Sequence, residues 1–277
     1  MHLQMMQSQI LWPSFALRPF VHHYWTMRTD APYRMELSIM PMGCMKWMFH
    51  RGVPFSINGV IDHQASVCGQ YSSSAHVGMH GHTDLLFVFF QPYAMKMITG
   101  IPSHLFTEAS IDLDELEQPE FKVLKQRVLE SSDNQQAIAC IEQFILRQLG
   151  MKDDAAYLKQ FLSLNQQMQL HPDLTLSALA DSACLSERQL RRVFADYVGL
   201  SPKQMLRIRR CFAASRMIQQ MEEEEFTEVV HQLGFTDHSH LYKEFKLFAS
   251  MSPTDYFNHL QQIRREHLLV GYRAYHG

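Results

Sequence analysis

Two short stretches of this chain crowd side chains suited to reading the edges of nucleic-acid bases. One holds Arg188, Gln189, Arg191 and Arg192; the other holds His238, Ser239, Tyr242, Lys243 and Lys246. A planar guanidinium can pair with two acceptors of guanine at once, and a carboxamide can do the same with adenine. Lysine and arginine also meet phosphate, where each contact displaces a counterion. No Ser/His/Asp or Cys/His constellation is readable elsewhere, nor any glycine-rich phosphate loop. Enzymatic chemistry is therefore not expected, and no cofactor is implied.

The elements that must present these side chains occur twice. Ser186, Leu190, Phe194 and Pro202 recur as Asp237, Leu241, Phe245 and Pro253, always 51 residues on. A unit repeated at constant offset is a supersecondary module used twice. In the first copy, Leu176 to Ser182 reads as a short helix and Ala183-Cys184-Leu185 as a turn. Ser186 then caps a helix with Leu190, Val193, Phe194 and Tyr197 on one face. In the second copy Phe226 to Leu233 is the short helix and Gly234-Phe235-Thr236 the turn. Asp237 caps a helix that turns Leu241, Phe245 and Phe248 inward. Short helix, tight turn and longer helix make the helix-turn-helix plan, whose second helix enters the major groove of duplex DNA.

Charge is distributed rather than abundant. The segment 165–277 carries thirteen basic and thirteen acidic residues, so bulk charge argues for nothing. From Arg188 to Arg216, however, there are eight Lys or Arg and one acid, Asp196. Pro202 opens a segment to about Met221 whose Met205, Ile208, Phe212, Ser215 and Gln219 mark one side, with Arg207, Arg209, Arg210 and Arg216 on the rest. A helix of that length spans roughly 28 Å, close to the ~34 Å between successive major-groove windows. Against this, Glu222 to Glu225 places four acids just before the second module, where they would weaken its hold on phosphate.

The residues from about Ala155 to His259 resemble the DNA-binding region of the AraC/XylS family of bacterial transcription regulators. The resemblance rests on S-x-R-x-L-x-R-x-F at Ser186 to Phe194, on Gly199-Leu200-Ser201-Pro202, on Gly234-Phe235-Thr236-Asp237-His238-Ser239-His240-Leu241, and on Met251-Ser252-Pro253. It implies seven helices and two helix-turn-helix motifs joined by a long helix. It also places base contacts on Arg188, Arg191 and Arg192 in the first module and on His238, Ser239, Tyr242 and Lys243 in the second. RNA polymerase and double-stranded DNA are the partners such a regulator implies.

About 150 residues precede this region, enough for a second domain. Met35 to Met40, Lys46 to His50, Phe55 to Val60, Ala65 to Cys68 and Leu85 to Gln91 read as short strands. Gly78 to His82 is one of the punctuating turns. Strands at this spacing suggest a barrel or jelly roll. Helices at Glu120 to Ser131 and Asn134 to Leu149 follow, the latter with a stripe of Ile138, Ile141, Ile145 and Leu149. The Pro41-Met42-Gly43-Cys44 turn and Phe89-Phe90-Gln91-Pro92 resemble the cupin-like sensor domains attached to some AraC-type regulators. The division expected is a cupin-like domain over 1–150, a linker at 151–154 and the reader over 155–277. The fold class is α+β, a β-barrel or jelly roll with flanking helices followed by an all-α domain.

Within the N-terminal part, His80-Gly81-His82 with Asp84 and His76 resembles the H-x-H of metal-binding cupins, but the downstream Glu is missing. Those histidines therefore read as surface or packing residues in a loop, and no metal is expected. Met40, Met42, Met45 and Met48 read as adaptable filler for a core or an apolar pocket rather than a copper site. Trp12, Phe15, Phe20 and Tyr24 are aromatic candidates for a small-molecule site inside the barrel, with Trp25, Met40, Trp47, Phe49 and Phe89 as its expected lining. Five scattered cysteines fit a reducing cytoplasm, the first residues lack the pattern of a signal peptide, and Leu85 to Phe90 is too short to cross a bilayer.

The expectation is a cytoplasmic, sequence-specific DNA-binding transcription regulator, an activator, controlled by a small-molecule effector in the N-terminal barrel. A homodimer is expected, with the Ile138 helix as its candidate face and Phe144 and Leu146 widening the stripe. Two alternatives stand beside it: a regulator controlled only by its abundance or a protein partner, and a cupin metalloenzyme fused to a DNA module.

Overall fold

The computed structural model describes residues 6–29, 32–151 and 154–265. Among the described residues the N-terminal part holds ten strands, the last of them after a first short helix: β1 (Met6–Leu11), β2 (Val21–Thr29), β3 (Tyr33–Ile39), β4 (Lys46–His50), β5 (Ser56–Ile57), β6 (Val60–Ile61), β7 (Ala65–Cys68), β8 (Ala75–Gly81), β9 (Asp84–Phe90) and β10 (Ser110–Asp112). They form a six-stranded antiparallel sheet in the order β1-β2-β9-β4-β7-β10 and a four-stranded one in the order β3-β8-β5-β6.

The continuous apolar run of β9 shows why the sheets stack as they do. Side chains alternate across a strand, so Leu85, Phe87 and Phe89 face the second sheet while Leu86, Val88 and Phe90 face the opposite way. A strand buried on both faces needs no polar alternation. The space between the sheets is filled by Trp25, Met27, Met48, Phe55, Ile57, Val77 and Met79. On the outer face of the large sheet, Tyr24, Trp47, Phe49 and Val67 pack against three helices. These are α1 (Ala94–Thr99), α2 (Pro119–Leu129) and α3 (Asn134–Leu149). The N-terminal part is thus sheet, sheet and helix layer.

Three expectations are corrected here. His80 lies within β8, paired with Arg34 of β3, so the Met79–Thr83 segment is strand as far as Gly81 rather than loop. The sequence reading also missed β1 and β2, whose polar-rich runs MQSQIL and VHHYWTMRT hide the alternation. Finally, the α3 stripe packs within the chain. Ile141 and Ile145 are fully buried on the protein's own sheet layer, with Ile138, Phe144 and Leu149 packed beside them.

The C-terminal helices are α4 (Ala155–Leu170), α5 (Leu176–Ser182), α6 (Glu187–Tyr197), α7 (Pro202–Gln220), α8 (Thr227–Gln232), α9 (His238–Ala249) and α10 (Pro253–Arg265). The fold class is α+β, with antiparallel sheets first and helices after. Of the expected linker, Lys152 and Asp153 lie outside the described residues; α3 ends at Leu149 and α4 begins at Ala155.

One hydrophobic cluster runs through both parts. Phe161, Phe194, Tyr197, Met205 and Ile208 of the helices share it with Met40, Tyr93 and Met97 of the sheet domain. Tyr93 stacks on Phe161 at 5.2 Å. The Met42-Gly43 turn presses so closely on α7 that a Cβ at Gly43, where φ is +69°, would meet Met205 Sδ at 2.8 Å. The connector helix is therefore buried along much of its circumference, not on one side only.

Candidate nucleic-acid interface

Each second helix is built by the same local rules. Ser186 accepts from Gln189 N, and the Gln189 side chain returns to the Ser186 backbone, closing a capping box at the start of α6. Ser201 and Gln204 repeat the device at α7, with Pro202 in the first turn. Asp237 Oδ1 accepts from His240 N at 2.7 Å and starts α9. Both reading helices end on a left-handed residue, Gly199 at φ +85° and Ser250 at φ +59°, again 51 residues apart.

The first helices of the modules keep a different spacing. Leu179 and Ala180 of α5 are buried where α8 buries Val229 and Val230, an offset of 50. Leu185 N donates to Ala180 O at 3.0 Å, and Phe235 N donates to Val230 O at 3.0 Å. The second turn thus holds one residue more before its cap, Thr236. Its backbone N–H reaches His240 Nδ1 at 3.2 Å. The repeat is one plan with a single insertion, and the apolar landmarks absorb it without loss of burial.

Burial then fixes which side of each helix is presented. Leu190 and Phe194 of α6 and Leu241 and Phe245 of α9 are all fully buried. Arg188, Gln189, Arg191 and Arg192 are exposed on α6, as are His238, Ser239, Lys243 and Lys246 on α9. Among the described residues, Arg188 and Arg192 have no ion-pair partner. The other candidates differ in what they have available. Gln189 Oε1 accepts from Ser186 N at 2.9 Å, so a two-point grip on adenine requires opening the cap. Arg191 Nη2 donates to Glu187 Oε2 at 2.6 Å one helical turn away, an exposed pair that is easily exchanged.

Tyr242 departs furthest from its expected role. It is half-buried, with its hydroxyl 2.5 Å from Thr254 Oγ1, and Thr254 in turn donates to Glu224 Oε1 at 2.7 Å. Glu225 Oε1 accepts from Thr227 N at 2.9 Å at the start of α8. Part of the acidic run therefore secures the second module from within. The basic residues of α7 are likewise engaged internally. Arg207 grips Glu244 of α9 through Nε at 2.8 Å and Nη2 at 2.7 Å. Arg209 donates to Asn165 at 2.5 Å, and Arg210 lies over the Phe235 ring at 5.7 Å. The expected basic surface of the connector is mostly structural.

A set of contacts invisible in the sequence joins α6 to the sheet domain. Ser103 Oγ donates to Tyr197 O at 2.8 Å, Gln70 Nε2 to Val198 O at 2.7 Å and Thr107 Oγ1 to Gly199 O at 2.7 Å. Three successive carbonyls at the end of the reading helix, where intrahelical partners run out, are thus satisfied from the other domain. Lys96 pairs with Asp196 at 3.3 Å beside them. Polar residues separated by about a hundred positions carry no periodic signal that would reveal such a pairing.

The five expected ligand-lining residues do not meet around one chamber. Trp25 stacks on Phe87 between the sheets, Trp47 and Phe49 face the helix layer, and Met40 belongs to the cluster shared with the reader. Phe89, stacked with His23 at 4.4 Å, is the one of the five that lines a cavity of about 340 Å³ where sheet domain and reader meet. Among the described residues no group of three or more His, Cys, Asp or Glu could hold a metal, and no helix is long and apolar enough to cross a membrane.

This geometry agrees with what the chain is similar to. Residues 179–259 match a helix-turn-helix domain family, and residues 9–112 match a family described as a domain of unknown function. The HTH-type transcriptional activator RhaS of Enterobacter sp. (strain 638) is 23% identical over 242 residues, covering 79% of this chain and 84% of that protein. RhaS of Pectobacterium carotovorum is 30% identical over 81 residues, 29% of each chain. A crystal structure of ToxT from Vibrio cholerae O395 covers 86% of this chain and 98% of its own, at 11% identity and a TM-score of 0.45. With two capped reading helices carried on one connector, with the helix-turn-helix match over residues 179–259 and with the similarity to RhaS, the chain is a DNA-binding transcription regulator similar to those of the AraC/XylS family, and it carries an N-terminal domain ahead of its reader.

Proposed function

We propose that this protein is a cytoplasmic transcription activator that reads a specific duplex sequence with α6 and α9, recruits RNA polymerase there, and is controlled by a small molecule held by its N-terminal domain. The division is a sensor over 1–150 and a reader over 155–277 with the link at 151–154. The reading is supported above all by the outward Arg188 and Arg192 of α6, exposed opposite a fully buried Leu190/Phe194 face. Activation is the role carried by the RhaS relatives. A two-fold dimer would use the outer faces of α2 and α3, where Val123 and Leu146 stand 56% and 46% exposed; a dimer doubles the DNA contact by effective concentration.

The test is selection of bound duplexes from a random pool, followed by affinity measurements with Arg192→Ala. Loss of one bidentate base contact costs roughly 1–3 kcal/mol and relaxes preference at one position of the selected site. Unchanged affinity for both the selected site and scrambled DNA would sink the assignment of this face.

A further inference from the structure

The sheet domain touches the reader at two places that are equivalent in the repeat. At the end of α6, Gln70 and Thr107 hold the carbonyls of Val198 and Gly199. At the end of α9, the hydroxyl of Ser74 meets that of Ser250. Gly199 and Ser250 are the two left-handed residues that stop the reading helices, 51 positions apart. Glycine enters that conformation without steric penalty, and serine does not. Ser250 thus keeps, where glycine fits better, a side chain that reaches the sheet domain.

Gln70 and Ser74 belong to one loop, residues 69–74. It passes from β7 in the six-stranded sheet to β8 in the four-stranded one. Four residues of chain separate the two grips, so they stand at most about 14 Å apart.

The loop is braced between them. Gly69 N donates to Ala109 O at 2.9 Å, Glu108 N to Gln70 O at 3.0 Å and Ser72 N to Glu108 Oε1 at 2.7 Å. The chains run so close that a Cβ at Gly69 would meet Phe106 O at 1.6 Å. The bracing segment also carries Ser103 and Thr107, the other donors to the end of α6. Loops are ordinarily the compliant part of a fold, but this one is stitched to its neighbour along its length. A stiff piece with one end on α6 and the other on α9 fixes their separation and relative rotation from outside the reader.

We infer, on the regulator reading above, that this loop gauges the DNA: Gln70 and Ser74 are positioning residues that set the spacing between the two half-sites which α6 and α9 read together. One base pair inserted between half-sites moves the second by about 3.4 Å along the duplex and turns it by about 34°. A reader joined only through its own core follows part of that displacement, whereas one gripped at both helix ends must first break a grip. The discrimination supplied by the Ser74–Ser250 contact is bounded by the worth of one hydrogen bond, about two- to tenfold in affinity.

The measurement uses the full chain and the duplex it selects from a random pool, with versions carrying one base pair more or fewer between the half-sites, titrated by fluorescence anisotropy. The parent prefers the selected spacing. Ser74→Ala and Ser250→Gly each lower the ratio of matched to shifted affinity by about two- to tenfold and leave the base preferences within each half-site unchanged. Combined, they lower it no further than either alone, because both remove one contact. Ser250→Gly relieves the left-handed residue and melts no lower than the parent, so poor folding cannot imitate the effect. Arg192→Ala, by contrast, relaxes a base preference and leaves the spacing ratio as it was. An unaltered ratio in both single variants, effects that add in the double variant, or tighter binding of the matched duplex once the contact is lost would each overturn the inference. A parent that binds specifically but equally well at every spacing removes this inference alone; a parent with no specific binding removes the regulator reading with it.

Discussion

The three hydrogen bonds from Ser103, Gln70 and Thr107 to the end of α6 make a quantitative test of how the two domains are held. Ser103 is fully buried and Gln70 is 2% exposed, so water cannot replace either donor without opening the seam. A typical intramolecular hydrogen bond contributes about 1 kcal/mol, and a buried carbonyl left without a partner costs about 1–3 kcal/mol. Ser103→Ala strands Tyr197 O and should cost about 1–2 kcal/mol. Gln70→Leu strands Val198 O but also removes Gln70 Oε1, a buried acceptor without a partner, so its net cost falls at the lower end of that range. Thr107→Val strands Gly199 O in a part-buried position and should resemble Ser103→Ala.

Together the three substitutions cost roughly 3–5 kcal/mol if they add, and somewhat less because they share one short segment. Each kcal/mol lowers the melting temperature of a protein of this size by about 2–4 °C. Calorimetry of the triple variant should show that loss, and should separate one cooperative transition into two as the sheet domain and the reader uncouple. Hydrogen exchange should accelerate at residues 196–200 while β9 stays protected. A triple variant within about 0.5 kcal/mol of the parent, melting in a single transition, would refute the claim that these bonds hold the seam.

The Arg207–Glu244 grip between α7 and α9 should behave as a half-buried ion pair. Arg207→Met should destabilise by about 1–3 kcal/mol in chemical unfolding, with most of the loss restored by adding Glu244→Leu. Burial raises the pKa of Glu244, but the Arg207 hydrogen bonds and charge outweigh it and leave the carboxyl below its ordinary value of 4.5. The stability it supplies is therefore present above pH 4.5 and lost as pH falls through the lowered value, a loss that should be smaller in Arg207→Met. Sedimentation of the full chain at micromolar concentration should show a dimer that Leu146→Glu dissociates without lowering the melting temperature; a parent protein that sediments as a monomer would remove the dimer.

The reader was legible in the sequence because its determinants are local. Ser186, Ser201 and Asp237 announce their helices through caps within three residues, and the Leu190/Phe194 and Leu241/Phe245 pairs fall on the 3.6-residue period that buries them. The central strands β4 and β7 were legible for the same reason: short apolar runs bounded by turns. Elsewhere, long-range pairing overrode the local pattern. Gly78 and Gly81 look like punctuation but lie in β8, where Gly78 pairs with Glu36 of β3 and a Cβ at Gly78 would meet Ser56 Oγ at 2.8 Å. Outward side-chain type was legible on α6 and α9, but availability was not: the hydroxyl of Tyr242 and the guanidinium of Arg207 are engaged by Thr254 and Glu244, partners that no spacing rule predicts.

These engagements converge on α7. Its Arg207 holds α9, its Met205 is pressed by the Gly43 turn of the sheet domain, and its Arg209 and Arg216 line the cleft. A close-packed helix transmits displacement rather than absorbing it, so anything that changes how α7 sits against the sheet domain also changes where α9 stands relative to α6. Any bound ligand can bias that arrangement only by the difference in its affinity for the alternative geometries. The α6 end is a second tether between the same two bodies, through Ser103, Gln70 and Thr107. Any ligand that moves α7 therefore works against the stability of that tether. If the tether contributes the 3–5 kcal/mol estimated above, merely equalising held and released readers requires a differential affinity of roughly 10²–10⁴-fold, and nearly complete release about a hundredfold more. The reader is accordingly expected to adjust on the sheet domain, with the tether intact, rather than to detach from it.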